Sequence, residues 1–170
     1  PNMFDNTGNG GTYAWVDNSS PWVSDNTLES PMIDVSTLTS PMLYFYMYSE
    51  QQSASNTNAT FSVDVYDGAN WNVGAFTFNG NNGGWTQYQV DLAQFTFTGP
   101  AQFRFIVDES TSGSGFQNDI GLDDVSVDEA PSCPNIQSLT INNVTATTAT
   151  VDWVPASSSP QTEFVVEYGP

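Results

Sequence analysis

The hydrophobic and polar positions follow the period of strands. Residues 42–48 read Met-Leu-Tyr-Phe-Tyr-Met-Tyr, an uncharged run bounded by Pro41 and by Ser49-Glu50. Phe61-Ser62-Val63-Asp64-Val65-Tyr66 alternates apolar and polar positions and runs into the turn dipeptide Asp67-Gly68. A period of two places one face of each such segment on a core, which predicts strands. Residues 73–78, 85–92, 101–107 and 120–127 read the same way. Asn79-Gly80-Asn81-Asn82-Gly83-Gly84 and Ser110-Thr111-Ser112-Gly113-Ser114-Gly115 are turn or loop chemistry between them. The helical period is absent, apart from one short turn expected near residues 92–95. Many strands at regular spacing predict an all-β sandwich.

The composition shifts at Asp128-Glu129-Ala130-Pro131-Ser132-Cys133-Pro134, where two nearby prolines do not fit a hydrogen-bonded ladder. The expected division is a first domain over residues 1–129, a linker over 130–135 and a second piece over 136–170. Residues 138–144, 149–154 and 164–168 are strand candidates in that second piece. Three strands fall short of the roughly seven of a complete sandwich of this kind.

Charge narrows the function. The chain has 170 residues, 19 Asp and Glu, a single Lys or Arg (Arg104) and no His, for a net charge of -18. Nucleic-acid binding needs clustered cations, and an anionic membrane repels such a chain. Neither is an expected partner. With 12% charged and 14% aromatic residues, the chain is built for a core and not for an acidic disordered tail. One-signed charge that salt or calcium relieves points to a secreted or cell-surface location. The lone Cys133 forms no intrachain disulfide and offers no zinc spacing. Arg104, between Phe103 and Phe105, is expected to pair with a carboxylate as architecture.

Several strings resemble one family. Leu28-Glu29-Ser30-Pro31-Met32-Ile33-Asp34, Leu43-Tyr44-Phe45-Tyr46-Met47, Trp85, Ala101-Gln102-Phe103-Arg104-Phe105 and the closing Asp119-Ile120-Gly121-Leu122-Asp123-Asp124-Val125-Ser126-Val127 occur in the order of a MAM domain. The resemblance covers roughly residues 1–129 and is to the cysteine-poor form of secreted Bacteroidetes proteins. It implies a jelly-roll β-sandwich, an adhesion-type module and no catalysis. The family normally opens with a strand upstream of this chain's start, so the first strand is expected to be missing. Cys133-Pro134, Leu139, the string from Val144 to Trp153 and Phe164-Val165-Val166-Glu167-Tyr168 resemble the first half of a fibronectin type III module. That resemblance implies a partial immunoglobulin-like sandwich.

Asp123-Asp124 is the first candidate site. Adjacent carboxylates in a strand point to opposite faces, and the one on the core side needs a cation or backbone donors. A structural calcium ion is the expected counter-charge, since calcium takes six to eight oxygens at about 2.3–2.6 Å. The jelly-roll resemblance makes Asp17, Asn18, Asp25 and Glu29 its expected partners; the alternative is a solvated acidic edge. A glycosidase-type carboxylate pair is a coincidence that 19 acids make cheap, so no enzyme is expected.

Trp22, after Pro21, and Trp71, in the turn from Asp67, are the candidate sugar or protein contacts; Trp85 and either Tyr44 or Tyr46 are expected in the core. Asn18, Asn58 and Asn143 match the N-glycosylation pattern. The expected function is a non-enzymatic adhesion or structural module. Its partners are other copies of itself, neighbouring domains of a longer chain, or glycans. Exposed sheet edges would let it assemble head-to-tail into a fibre by strand complementation. The alternative is a carbohydrate-binding module appended to a secreted hydrolase.

Overall fold

A computed structural model describes residues 4–8, 10–17, 21, 23–51, 58–109, 118–131 and 138–154. The uncharged run lies within β3 (Pro41–Gln51), where Leu43, Phe45 and Met47 are fully buried and Tyr44, Tyr46 and Tyr48 face outward, half-buried. The same alternation buries Phe103, Phe105 and Val107 of β7 (Gln102–Asp108). Chain order places β1 (Ala14–Val16) and β2 (Asn26–Glu29) before these strands. β4 (Thr60–Tyr66), β5 (Trp71–Phe78) and β6 (Thr86–Asp91) follow β3, and β8 (Asn118–Glu129) follows β7. The short turn expected near residue 92 is a 3-10 turn over Leu92–Gln94, capped by the Asp91 carboxylate, which accepts from the Ala93 N–H.

The eight strands form two four-stranded sheets, in the orders β1-β8-β3-β6 and β2-β7-β4-β5. Every ladder with a recorded register is antiparallel. Only β4 and β5 are both consecutive and paired; most other connections pass between sheets, which is the jelly-roll arrangement of a β-sandwich. One apolar cluster fills the space between the sheets, from Leu43 and Phe45 on one side to Phe61, Val63 and Phe105 on the other. The chain divides into a unit over Pro1–Asp128 and a unit over Glu129–Pro170. In the second unit, β9 (Ser138–Asn142) and β10 (Thr150–Val154) form an antiparallel pair that sets Trp153 opposite Leu139. The strand candidate at 164–168, Cys133, Asn18 and Trp22 lie outside the described residues.

Three expectations need correction. Tyr44 and Tyr46 are not core residues, because strict alternation in β3 gives the inner face to Leu43, Phe45 and Met47. Trp85 is half-buried just before β6, where its ring meets Tyr13 and Tyr48 edge-on and its Nε1 donates to the Phe4 carbonyl at 2.6 Å. Trp71 is the first residue of β5 and not part of the turn.

Arg104 has the architectural role expected of it. Register sets it beside Asp64 of β4 on one side and Glu29 of β2 on the other. Its Nε donates to Asp64 at 2.9 Å, and its guanidinium lies 4.1 Å above the Trp71 ring. The other Asp64 oxygen accepts the Gly74 N–H at 2.7 Å, where the β4–β5 register shifts and Gly74 takes φ +69°. Asp64 is 1% exposed, so removing a partner leaves a buried charge. Asp64→Ala is expected to cost about 2–4 kcal/mol, less than a fully buried pair because Arg104 is partly solvated. A lowered urea midpoint with an unchanged slope is the expected reading; an unchanged midpoint contradicts this account.

Candidate functional site

The sandwich is open along one margin. β1 ends one sheet and β2 ends the other, and among the described residues neither has a second ladder partner. They contain three and four residues, so each covers only part of its neighbour: β1 pairs with residues 120–122 of the twelve-residue β8. Between them lies a cleft of about 270 Å3. Ala14, Trp15 and Val16 form one lip, Asn26, Thr27 and Leu28 the other, and Phe61, Phe105, Val107, Ile120 and Leu122 the floor. The floor residues belong to the buried core, so the cleft reaches it directly. Trp15 is 47% exposed and Leu28 is 49% exposed at the mouth. The volume exceeds the roughly 150 Å3 that one benzene-sized group fills. A wider depression between residues 34–41 and 92–100 is bordered by loops and the 3-10 turn and offers no strand edge.

This geometry suits an extended apolar segment. An edge strand offers unpaired N–H and C=O groups, and a cleft beside it takes alternate side chains. Among the described residues its lining is apolar or neutral polar. Sequence reasoning missed it because β1 and β2 are too short to show a period. The available signal was the apolar pair Trp15-Val16 and the lone Leu28 in polar surroundings.

The acidic candidate site lies elsewhere. Asp123 is half-buried, and its two oxygens accept the Asn6 N–H and the Asp124 N–H, each at 2.9 Å. Asp124 is exposed and accepts the Asn6 side-chain amide at 2.9 Å. It takes φ +47°, a left-handed conformation inside β8 that interrupts strict alternation of adjacent carboxylates. Asp5 is 7% exposed and accepts from the Thr7 hydroxyl and the Gly10 N–H. The Asn6 contacts fasten the segment before β1 to the closing strand.

Asp17 follows β1, Asp25 precedes β2, and Glu29 ends β2 opposite Arg104; all three are exposed. Apart from the Asp124 N–H on Asp123, the side-chain partners of Asp123 and Asp124 among the described residues lie in the loop before β1. Among the described residues, no group of three or more His, Cys, Asp or Glu is arranged to hold a metal ion.

The family model for the MAM domain (meprin/A5/mu) matches residues 1–134. The chain belongs to the MAM family. No curated protein matches its sequence. MAM domains are extracellular, adhesion-type modules without catalytic activity. No helix among the described residues is long and apolar enough to cross a membrane.

The remaining candidates have defined places, Trp71 and Asn58 in the first unit and Asn143 in the second. Trp71 has one ring face under the Arg104 guanidinium and packs against Tyr66 at 5.4 Å. Asn58 is half-buried before β4, and its carbonyl accepts from Asn79. Asn143 is exposed, with φ +51°, in the turn between β9 and β10.

Asp123→Ala is expected to free the Asn6 amide and cost about 1 kcal/mol, the net worth of such hydrogen bonds. Faster hydrogen exchange at Asn6 is the reading, and unchanged exchange contradicts the loop's attachment. Calcium rests on charge alone: a higher Tm in calcium than in EDTA that Asp123→Ala abolishes places an ion there. An equal Tm leaves protein donors as the only neutralisation.

Proposed function

We propose that this MAM-domain chain is a non-catalytic module of a secreted or surface bacterial protein that assembles head-to-tail by strand complementation. The observation that carries the reading is the apolar cleft between β1 and β2, with core side chains on its floor and a short edge strand on each lip. A strand from a second copy would add main-chain hydrogen bonds along an edge and place alternate apolar side chains over Ile120, Leu122 and Phe105. Burying apolar area at roughly 25 cal/mol per Å2 favours filling the cleft over leaving it wet. Acceptor and donor surfaces differ in such an arrangement, so the contact does not close on itself and propagates a filament. The second unit fits the first half of a fibronectin type III module. Its support is the β9–β10 pair with Val151 opposite Ile141 and Trp153 opposite Leu139.

The test is light scattering with negative-stain imaging across a concentration series. Wild-type chain is expected to form linear polymers. Leu28→Arg puts a charge on the cleft lip at a half-exposed position, so it is expected to keep the fold and remove the polymers. A wild-type chain that stays monomeric, or polymers that survive Leu28→Arg, contradict the proposal.

A further inference from the structure

A second surface, on the outer side of the β1-β8-β3-β6 sheet, carries chemistry that strand complementation does not use. Tyr44, Tyr46 and Tyr48 occupy alternate positions of β3 and are half-buried, each leaving part of its side chain in solvent. Alternate residues of a strand stand about 7 Å apart, so the three form a row about 14 Å long. Register with β6 sets Gln89 opposite Tyr44 and Gln87 opposite Tyr46. Both glutamines are exposed, and among the described residues their side chains make no hydrogen bond. Their amides are therefore unspent, each with two donors and an acceptor beside an aromatic ring.

We propose that this face binds a neutral polysaccharide chain lying along β3. Tyrosine rings match the apolar faces of sugar rings, and the two glutamines supply the paired donors and acceptors that sugar hydroxyls require. The charge pattern selects against a polyanion: the chain's one cation, Arg104, is in the other sheet and held by Asp64. It also distinguishes a sugar from a basic polypeptide. On the β6 side the neighbours of Tyr44 and Tyr46 in register are uncharged amides, while Glu50 and Asp128 act on the two ends of the row. Glu50 accepts the Tyr48 hydroxyl at 3.2 Å, and the charge of Asp128 reaches Tyr44. Burial first, then these carboxylates, raises the Tyr44 and Tyr48 pKa values above the usual phenol value of 10.0, so both hydroxyls stay protonated near neutral pH. The inference is independent of the cleft, which lies at the β1–β2 margin.

The experiment is affinity electrophoresis of the whole chain through gels containing soluble α-glucan, β-glucan, mannan or xylan, with polygalacturonate and polylysine as charged controls. Retardation by at least one neutral polysaccharide is expected, and it persists in high salt because no ion pairs are made. Gln87→Ala and Gln89→Ala change exposed residues and keep the fold; together they are expected to weaken binding about tenfold, the loss of 1.4 kcal/mol. Tyr46→Ala is expected to abolish retardation, with its Tm measured alongside, and Leu28→Arg is expected to leave it intact. The proposal is overturned if no neutral polysaccharide retards the chain. It is equally overturned if polylysine alone does so in a salt-sensitive manner, or if the glutamine double variant binds as well as wild type.

Discussion

Each sheet of the sandwich has one apolar face, and the two faces meet on Phe45. Its ring is within 6 Å of four others: Tyr88 from its own sheet, and Phe61, Phe76 and Phe105 from β4, β5 and β7 of the opposite one. Truncating such a side chain costs about 3–5 kcal/mol, a large share of the 5–15 kcal/mol that holds a domain together. Phe45 is fully buried in a strand that is internal to its sheet, so the packing that closes the sandwich is concentrated at its middle and toward β5 and β6.

The open margin follows from that concentration. Large rings fill the space near β5 and β6, whereas β1 and β2 contribute only seven residues between them at the other side. The core is therefore reachable there, past Trp15 and Leu28. The outer face of the second sheet is fixed by a different device: Asp64, buried under the β5 bulge, holds Arg104, and Arg104 covers Trp71. The one cation in a chain of net charge -18 is spent on this cluster, so no further side-chain cation serves recognition. The proposed recognition surfaces are accordingly apolar and neutral polar.

Most of the sandwich was legible because β4 and β7 announce themselves by alternation and β3, β5, β6 and β8 by apolar content between turns. β1 and β2 were not, since three or four residues do not establish a period and their place depends on pairing with strands about a hundred and about eighty residues away. The cleft was hidden for the same reason: its lining comes from strands distant in sequence. Arg104 could be read as paired because it is the single cation, but only the β4–β7 register identifies Asp64 among 19 acids. Asp123-Asp124 was read as two faces of a regular strand, and the left-handed turn at Asp124 is a backbone choice that residue type does not announce. One of Tyr44 and Tyr46 was misplaced in the core because an unbroken aromatic run does not reveal which parity faces inward. The inner face belongs to the residues that alternate with them, Leu43, Phe45 and Met47.

The proposed strand addition would place the adhesion typical of the MAM family at an edge strand beside an opening to the core. The most direct test of that link is hydrogen exchange by mass spectrometry, comparing dilute chain with chain at the concentration where scattering rises. Strand addition predicts new protection at Ala14–Val16 or Asn26–Glu29 and in the donated strand, with the opposite edges β5 and β6 exchanging as before. Protection at β5 or β6 instead, or none at β1 and β2, would contradict the account.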